Sequence, residues 1–410
     1  MGKGLLLAMM LPLVCGNCAR GRENRADSVS AATAKGPATR PPARVLREQY
    51  MPAAMADGIV KIAVLVNLPA GDQSRQFLEG CVNEGRSMGF TVDTFISGAD
   101  KDRGISRCGE IVAGIARADY DGLIFAYGEA DGEAADDPFI DMFKPVAQKG
   151  IKIVTFETFS PQISRLFDGL ITTFQNDAGL ARMSLEVLLS YTRGNANRPV
   201  RVIRIGGNPG IPSLDRRTQI FDEYVRMGAL VEAAYINLGA MENPDHTAWE
   251  GLADVLPRFP PGSVDALWTP HDKIAEGCVQ ALASMGRQDI KLVSIGISND
   301  DIRMMQSRRE TWLANVAVDP KLAGTVNMRI LTAALAGETL PDTVLFTPQL
   351  LKAADLNHAV NIVNISAMVP SWGDAWGLFD HYPWMNELKK AEEKYLRILP
   401  TSMTTPVTVP

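Results

Sequence analysis

From Val60 onward the chain passes through an alternation of apolar strands, polar loops and helical stretches, and then passes through it a second time. Residues 59–66, Ile-Val-Lys-Ile-Ala-Val-Leu-Val, are rich in β-branched types and almost continuously apolar, as a strand buried on both faces must be. A Pro/Gly loop covers Asn67 to Gln73, and a helical period through Phe77, Cys81 and Met88 stops at Gly89. The spacing then predicts strands at 90–95, 121–126 and 151–156, with helices over 105–117 and 139–149. The second series predicts strands at 200–205, 229–236, 264–269 and 290–295, with helices over 214–227, 249–256 and 274–285. Ser87-Met88-Gly89 is answered by Arg226-Met227-Gly228, and Asp121-Gly122-Leu123 by Asp265-Ala266-Leu267. Ile151-Lys152-Ile153-Val154 returns as Ile290-Lys291-Leu292-Val293. Strands alternating with helices at this spacing imply parallel sheets with right-handed crossovers. Two such series predict an α/β chain of two doubly wound parallel-sheet lobes.

The length agrees, because 410 residues exceed the ~250–300 at which a single core stops growing. The expected division places lobe one at 59–158 plus 316–340 and lobe two at 172–300 plus 343–365. A further helix is predicted over 322–336 and a short strand over 344–350. A chain leaving lobe one near Thr158, returning near Val316 and crossing again near Thr343 makes a three-strand hinge. Residues 366–410 form an aromatic and charged extension with Trp372, Trp376, Phe379, Tyr382 and Trp384 ahead of a charged helix over 385–399. Its aromatics are expected to pack onto a lobe, a partner surface being the alternative. At the other end, Met1-Gly2-Lys3 and the apolar run 4–14 read as a signal peptide over 1–19, too short to cross a ~30 Å hydrocarbon core. Residues 20–58 read as a flexible tether. This implies export to the periplasm, with lipidation at Cys15 or Cys18 as an option although neither follows a typical lipobox. Cys81, Cys108 and Cys278 have no metal-binding spacing and are expected to be buried thiols.

In open parallel sheets, small ligands sit beyond the carboxyl ends of the strands, so the loops there hold the candidate site. In lobe one they carry Asn67, Asp72, Gln73 and Arg75, then Tyr127, Glu129 and Asp131, then Glu157, Thr158 and Phe159. The crossover carries Phe174, Gln175, Asn176 and Asp177. Lobe two adds Asn208, Arg216 and Arg217, then His271 and Asp272, then Ser298, Asn299 and Asp300. Carboxylates and amides bridge adjacent hydroxyls, guanidinium forks donate to oxygens, and aromatic faces cover the C–H face of a sugar. This inventory suits a polyhydroxylated ligand. Asp177, Ser213 and Asp272 also stand where helix N-caps are expected.

These residues resemble a family. Asp272 to Leu282, Asp-Lys-Ile-Ala-Glu-Gly-Cys-Val-Gln-Ala-Leu, is similar to the N-D-x-x-A-x-G-x-x-x-A-L element of type 1 periplasmic sugar-binding proteins, kin to the ligand domain of LacI repressors. Arg217-Thr218-Gln219-Ile220-Phe221 resembles their R-T-x-G-F, with Ile220 in place of glycine. Asn176-Asp177-Ala178-Gly179, Val318-Asp319-Pro320 with Gly324, Gly80 with Gly89, and Gly150-Ile151-Lys152-Ile153-Val154 fit further landmarks in the same order, over roughly 60–351. The resemblance implies the type 1 periplasmic binding protein fold and ligand contacts from Arg217, Asp272 and Asn176, with Glu157 where the family often has Asp. Two departures, at Asp72-Gln73-Ser74 where aromatics are usual and at Ser298-Asn299 where an aspartate is usual, leave room for a polyol, a furanose or a signalling molecule.

The expected ligand set is therefore Asn67, Asp72, Gln73, Tyr127, Glu157, Phe174, Asn176, Arg217, Asp272, Ser298 and Asn299. The expected activity is capture of a sugar or polyol by an exported, non-catalytic monomer that needs no cofactor and delivers its cargo to an ABC transporter permease. A ligand sensor for a membrane histidine kinase or chemoreceptor is the alternative. A nucleotide-cofactor oxidoreductase is disfavoured, since Gly206-Gly207-Asn208-Pro209-Gly210 lacks G-x-G-x-x-G and Pro209 removes a backbone donor. Scattered histidines and the missing H-E-x-x-H argue against a catalytic zinc, and no G-x-S-x-G is present. A net charge of −6 disfavours nucleic acid as a partner. A repressor would also need a helix-turn-helix where the signal sequence and tether stand.

Overall fold

The computed structural model describes residues 51–55, 60–98, 101–128, 137–160, 163–192, 198–207, 209–240, 243–369, 372 and 382–398. The expectations for 1–19, for Cys15 and Cys18, for most of the tether, and for Glu129, Asp131, Asn208, Trp376 and Phe379 lie outside the described residues.

The first series gives β1 (Lys61–Val66), α1 (Asp72–Ser87), β2 (Thr91–Ile96), α2 (Lys101–Arg117), β3 (Gly122–Ala126), α3 (Pro138–Gln148), β4 (Lys152–Phe156), α4 (Ile163–Leu166) and β5 (Ile171–Gln175). The second gives α5 (Asp177–Thr192), β6 (Val200–Gly206), α6 (Pro212–Arg226), β7 (Leu230–Asn237), α7 (Pro244–Val255), β8 (Ala266–Thr269), α8 (Asp272–Ser284), β9 (Lys291–Ile295), α9 (Asn299–Ser307) and β10 (Trp312–Ala317). The chain closes with α10 (Pro320–Leu335), β11 (Thr343–Phe346), β12 (Gln349–Lys352), α11 (Ile365–Met368) and α12 (Pro383–Ile398).

The strands form two six-stranded sheets, β11-β5-β4-β3-β1-β2 and β12-β10-β9-β8-β6-β7. Each has the same doubly wound order, in which the first strand of a series is flanked by its second and third. The first sheet is parallel throughout, β11 pairing with β5 in parallel, whereas β12 runs antiparallel to β10. Alternation along β1 shows why the sheet is buried on both faces: Ile62, Val64 and Val66 enter one apolar cluster, Ala63 and Leu65 the other. All five are fully buried.

Glycines at the helix crossings fit the family landmarks for a packing reason. A Cβ on Gly80 of α1 would lie 2.0 Å from the Lys321 carbonyl oxygen, and one on Gly324 of α10 would lie 2.0 Å from that of Phe77. The two helix backbones touch there, and no side chain fits between them.

Three connections join the lobes: β5 to α5, β10 to α10, and β11 to β12. They correct the expected boundaries. The first crossing lies at Asn176 instead of Thr158, because β5, assigned from 172 to lobe two, pairs with β4 of the first sheet. The strand expected over 344–350 is two strands in different sheets, parted at Thr347-Pro348, where proline cannot continue a ladder. β5, β10, α4, α9 and α11 were not anticipated as elements. The tether estimate also ran too far: Met55, in a short 3-10 turn, is buried in the core of the first lobe.

Cys81, Cys108 and Cys278 are free and buried. In the extension, Trp372 is buried and its Nε1 donates to Asp319 Oδ2 at 2.9 Å, while Trp384 Nε1 donates to Glu338 Oε1 at 2.9 Å. Lys389 of α12 reaches the buried Glu84 of α1 at 2.6 Å, a carboxylate that Arg329 of α10 also holds at 2.6 Å. Among the described residues no helix is long and apolar enough to cross a membrane.

Candidate functional site at the lobe junction

The carboxyl ends of the two sheets face each other, as two contacts between lobes show. Asp72, at the start of α1, accepts hydrogen bonds at Oδ2 from the Asn299 backbone amide (3.1 Å) and side-chain Nδ2 (2.8 Å) at the start of α9. The lobe-one carboxylate thereby caps a helix of lobe two. Arg75 and the Asn299 donors together hold Asp72 below the usual carboxylate range against the opposing effect of burial. The second contact places the Arg216 guanidinium of lobe two 4.3 Å from the ring centre of Phe159, which follows β4. Phe159 in turn stacks on Phe174 of β5, with centroids 5.0 Å apart and planes at 25°.

Behind this stack lies a buried charge cluster. Asp177, the first residue of α5, receives Arg217 Nε on Oδ1 at 2.8 Å and Arg216 Nε and Nη2 on Oδ2 at 3.0 and 2.7 Å. Arg217 is itself buried and donates from Nη1 to the Pro270 carbonyl at 2.9 Å. Glu157 completes the group. It sits at the end of β4 with φ +49, a left-handed conformation unusual outside glycine, and its Oε1 accepts the Gln175 amide. Burial, reinforced by the charge of Asp177 and only partly offset by the Gln175 amide and the two arginines, pushes the Glu157 carboxyl up to about 8. At neutral pH this group is mainly a protonated acid, able to donate.

Tyr127, after β3, is the other non-glycine residue with left-handed backbone among the described residues, at φ +65. Its ring meets Phe77 and Phe156 edge-on at 6.0 and 5.3 Å, and its hydroxyl bonds to Gln73. Asn67 acts as a brace across the ends of β1, β2 and β3. Its Nδ2 donates to the Tyr127 carbonyl at 3.2 Å, and its Oδ1 accepts Ser97 Oγ at 2.6 Å and Cys108 Sγ at 3.4 Å. Asn176 Oδ1 accepts the Gly179 amide at 2.9 Å and caps α5. Ser298 Oγ accepts the Asp301 amide at 3.1 Å and caps α9. Asn299 Oδ1 takes the Ile362 amide at 3.0 Å, so this residue ties lobe one, lobe two and the chain after β12 together.

A second acidic group adjoins the first through the 270–272 loop. Asp272, first residue of α8, has Oδ1 2.8 Å from His271 Nδ1 and 2.9 Å from the Lys273 amide. His271 Nδ1 also accepts the Lys273 amide at 3.1 Å, so His271, and not Asp272, is the N-cap of α8. Burial works to raise Asp272, but His271, Asp301 and the Lys273 amide outweigh it, and the carboxyl is held down at about 2.

Of the expected set, the structure gathers Glu157, Phe174 and Arg217 into one cluster with Phe159, Asp177 and Arg216. It pairs Asp72 with Asn299, and Gln73 with Tyr127. It sets Asp272 beside that cluster and turns Asn67, Asn176 and Ser298 into braces. Asp177, expected as a cap, is instead the anchor of two arginines, and the N-cap of α6 is Ile211 and not Ser213. Asp301 was missed. Its only signal was Ser298-Asn299-Asp300-Asp301, the spacing of a capping box, which points to a role at its own helix end.

Two sheets of one strand order, strung on three connections and meeting through their carboxyl-end loops, define a two-lobed clamp for small molecules. Residues 62–339 match the family described as periplasmic binding protein domain, and the chain belongs to that family. Among solved structures, a sugar ABC transporter protein from Yersinia enterocolitica subsp. enterocolitica 8081 is 30% identical, with 83% of this chain and 98% of that one covered and a TM-score of 0.67. A 5-methylthioribose transporter solute-binding protein from Thermotoga lettingae TMO, in complex with 5-methylthioribose, is 22% identical (83% and 99% covered, TM-score 0.65). A carbohydrate transporter solute-binding protein from Agrobacterium radiobacter, in complex with D-arabinose, is 18% identical (76% and 99% covered, TM-score 0.59). The last two show the shared fold. No curated protein sequence matches.

Proposed function

We propose that this protein captures a sugar or sugar-like polyol between its lobes and delivers it to an ABC importer. The observation that carries the reading is the junction cluster, where lobe one supplies Glu157 and the Phe159–Phe174 stack and lobe two supplies Asp177, Arg216 and Arg217. An aromatic face, guanidinium donors and a protonated acid are what a ring with several hydroxyls and one C–H face needs. The sugar ABC transporter relative from Yersinia supports the same class of cargo. In this reading Asp272 is a further ligand contact, and Asp72–Asn299 is the clasp that forms as the lobes close. We further propose export through the 1–19 segment to the periplasm, monomeric action and handover to a membrane permease, without a catalytic step.

The test is a thermal-shift and calorimetric panel of pentoses, hexoses, polyols, furanones and 5-methylthioribose. A compound of the right class at about 100 times its Kd is expected to stabilise the protein by about 2.7 kcal/mol. It should also be recovered from the complex chemically unchanged. A panel without a stabilising member, or a recovered product, rejects the proposal.

A further inference from the structure

We propose that Asp301 is a positioning residue for Asp272, a protonated carboxyl seated behind it that donates the hydrogen bond fixing its orientation. The proposal rests on the reading of Asp272 as a ligand contact for its functional meaning, and on geometry for its existence. Asp301 is fully buried, and neither carboxyl oxygen meets a donor group of the protein. Its side-chain partners are the carboxyls of Asp272 and Glu276. A buried acid facing two other acids cannot form those contacts as an anion, since three acceptors have no hydrogen to share. A proton must therefore reside among them.

The neighbours decide where it resides. Glu276 is held by Lys273 Nζ, and Asp272 has the His271 ring and the Lys273 amide. Asp301 has only its own backbone amide tied, to Ser298. On α9, Asp300 lies 3.9 Å from Lys273 Nζ and is paired with Arg303. β10 presents no ionisable side chain to α9, and the 353–355 turn carries only the exposed Asp355. Asp72 is engaged with Asn299 and Arg75. Each neighbouring acid thus has a positive or polar donor, although burial also raises Glu276 against Lys273, and Asp301, with no donor at either oxygen, is where the proton resides. Gly296 makes the seat possible: at φ +118, a Cβ there would come within 2.6 Å of Asp272 Cγ. Asp272 is wedged between that glycine and the proton of Asp301.

The test needs no known ligand. In protein carrying 13C-labelled aspartate, Cγ titration of the full chain should show Asp301 still protonated at pH 7 and Asp272 ionised. Asp301→Asn keeps a donor and removes the titration; Asp301→Ala removes both. The Asp272 titration is expected to stay depressed in Asp301→Asn and to move up in Asp301→Ala, a readout that mere loss of packing would not produce. If Asp301→Ala does not fold, the wild-type and Asp301→Asn titrations decide. With 5-methylthioribose or D-arabinose as probe, Asp301→Ala should weaken binding about tenfold relative to Asp301→Asn. An Asp301 ionised below pH 6, or an Asp272 titration identical in both variants, overturns the proposal. Unchanged binding in Asp272→Ala with the Cγ results intact would instead reject Asp272 as a ligand contact.

Discussion

The two buried acidic clusters at the lobe junction solve one electrostatic problem in different ways. Around Asp177, negative charge is balanced by two guanidiniums in hydrogen-bonding geometry, one buried and one with a side chain 40% exposed. Around Asp272, it is balanced by an imidazole, a backbone amide and a neighbouring acid that keeps its proton. Guanidinium charge makes the Asp177 ion pairs of the first cluster costly to break, with Glu157 as its titrating member; a shared proton sets the character of the second. The difference also assigns mechanical roles. The guanidinium cluster joins elements on both sides of the first crossover, whereas the proton-sharing cluster belongs to α8 and α9 of one lobe.

The largest expected effect tests the guanidinium side. Arg217→Ala leaves a buried Asp177 with half its compensation and is expected to destabilise by about 3–5 kcal/mol in urea unfolding. Arg216→Ala, more exposed, should cost well under half of that. Equal costs for the two would show that burial does not separate them. The binding consequence of Arg217→Ala must accordingly be read at a temperature where the variant is folded.

The next effect sharpens the contrast in pH. The folded carboxyl of Glu157 titrates near 8, above its ordinary value of 4.5. Between these values the native state binds a proton that the unfolded state does not, so stability is greatest at the acidic end. It declines by about 1.4 kcal/mol per pH unit as pH rises toward 8. Glu157→Gln should flatten this limb in unfolding midpoints measured from pH 5 to 8. An unchanged slope would remove Glu157 as its source. Asp272 acts with the opposite sign, its contribution being present above the ordinary carboxylate value and lost as pH falls toward 2.

The smallest effect concerns the clasp. Asp72→Ala removes the two hydrogen bonds from Asn299 and is expected to cost about 1 kcal/mol at most. Its clearer signature is a larger radius of gyration by small-angle scattering, because the clasp links opposite lobes. Scattering identical to wild type would mean that Asp72 does not hold the lobes together.

Much of this architecture was legible in the chain. Continuous apolarity at 59–66 and 151–156, and the glycine stops at Gly89 and Gly228, predicted strands and helices that the structure contains. β5 and β10 were missed because Thr172, Thr173 and Asn315 interrupt the apolar run. Within the fold these groups are buried, and the two threonines bond to partners far away in sequence, as Thr173 Oγ1 does to Asn327 Oδ1 at 2.8 Å; Asn315 accepts from Trp312 Nε1 at 2.8 Å. The same holds at the site. Arg217, Glu157, Asp272, Asn67 and Ser298 all follow strands in the sequence, and that placement does not tell the ion-paired and charged groups from those whose side chains tie loops and helix ends.

Sequence alone determined the two-lobed α/β plan, since strand and helix periods and glycine stops are local properties written along the chain. Only the tertiary structure decided which polar residues face each other and which acids keep their protons. A carboxyl's charge depends on its burial and on the donors around it, and those donors are brought by segments up to hundreds of residues apart. Asp72 meets Asn299 across 227 positions, and no local pattern records that meeting.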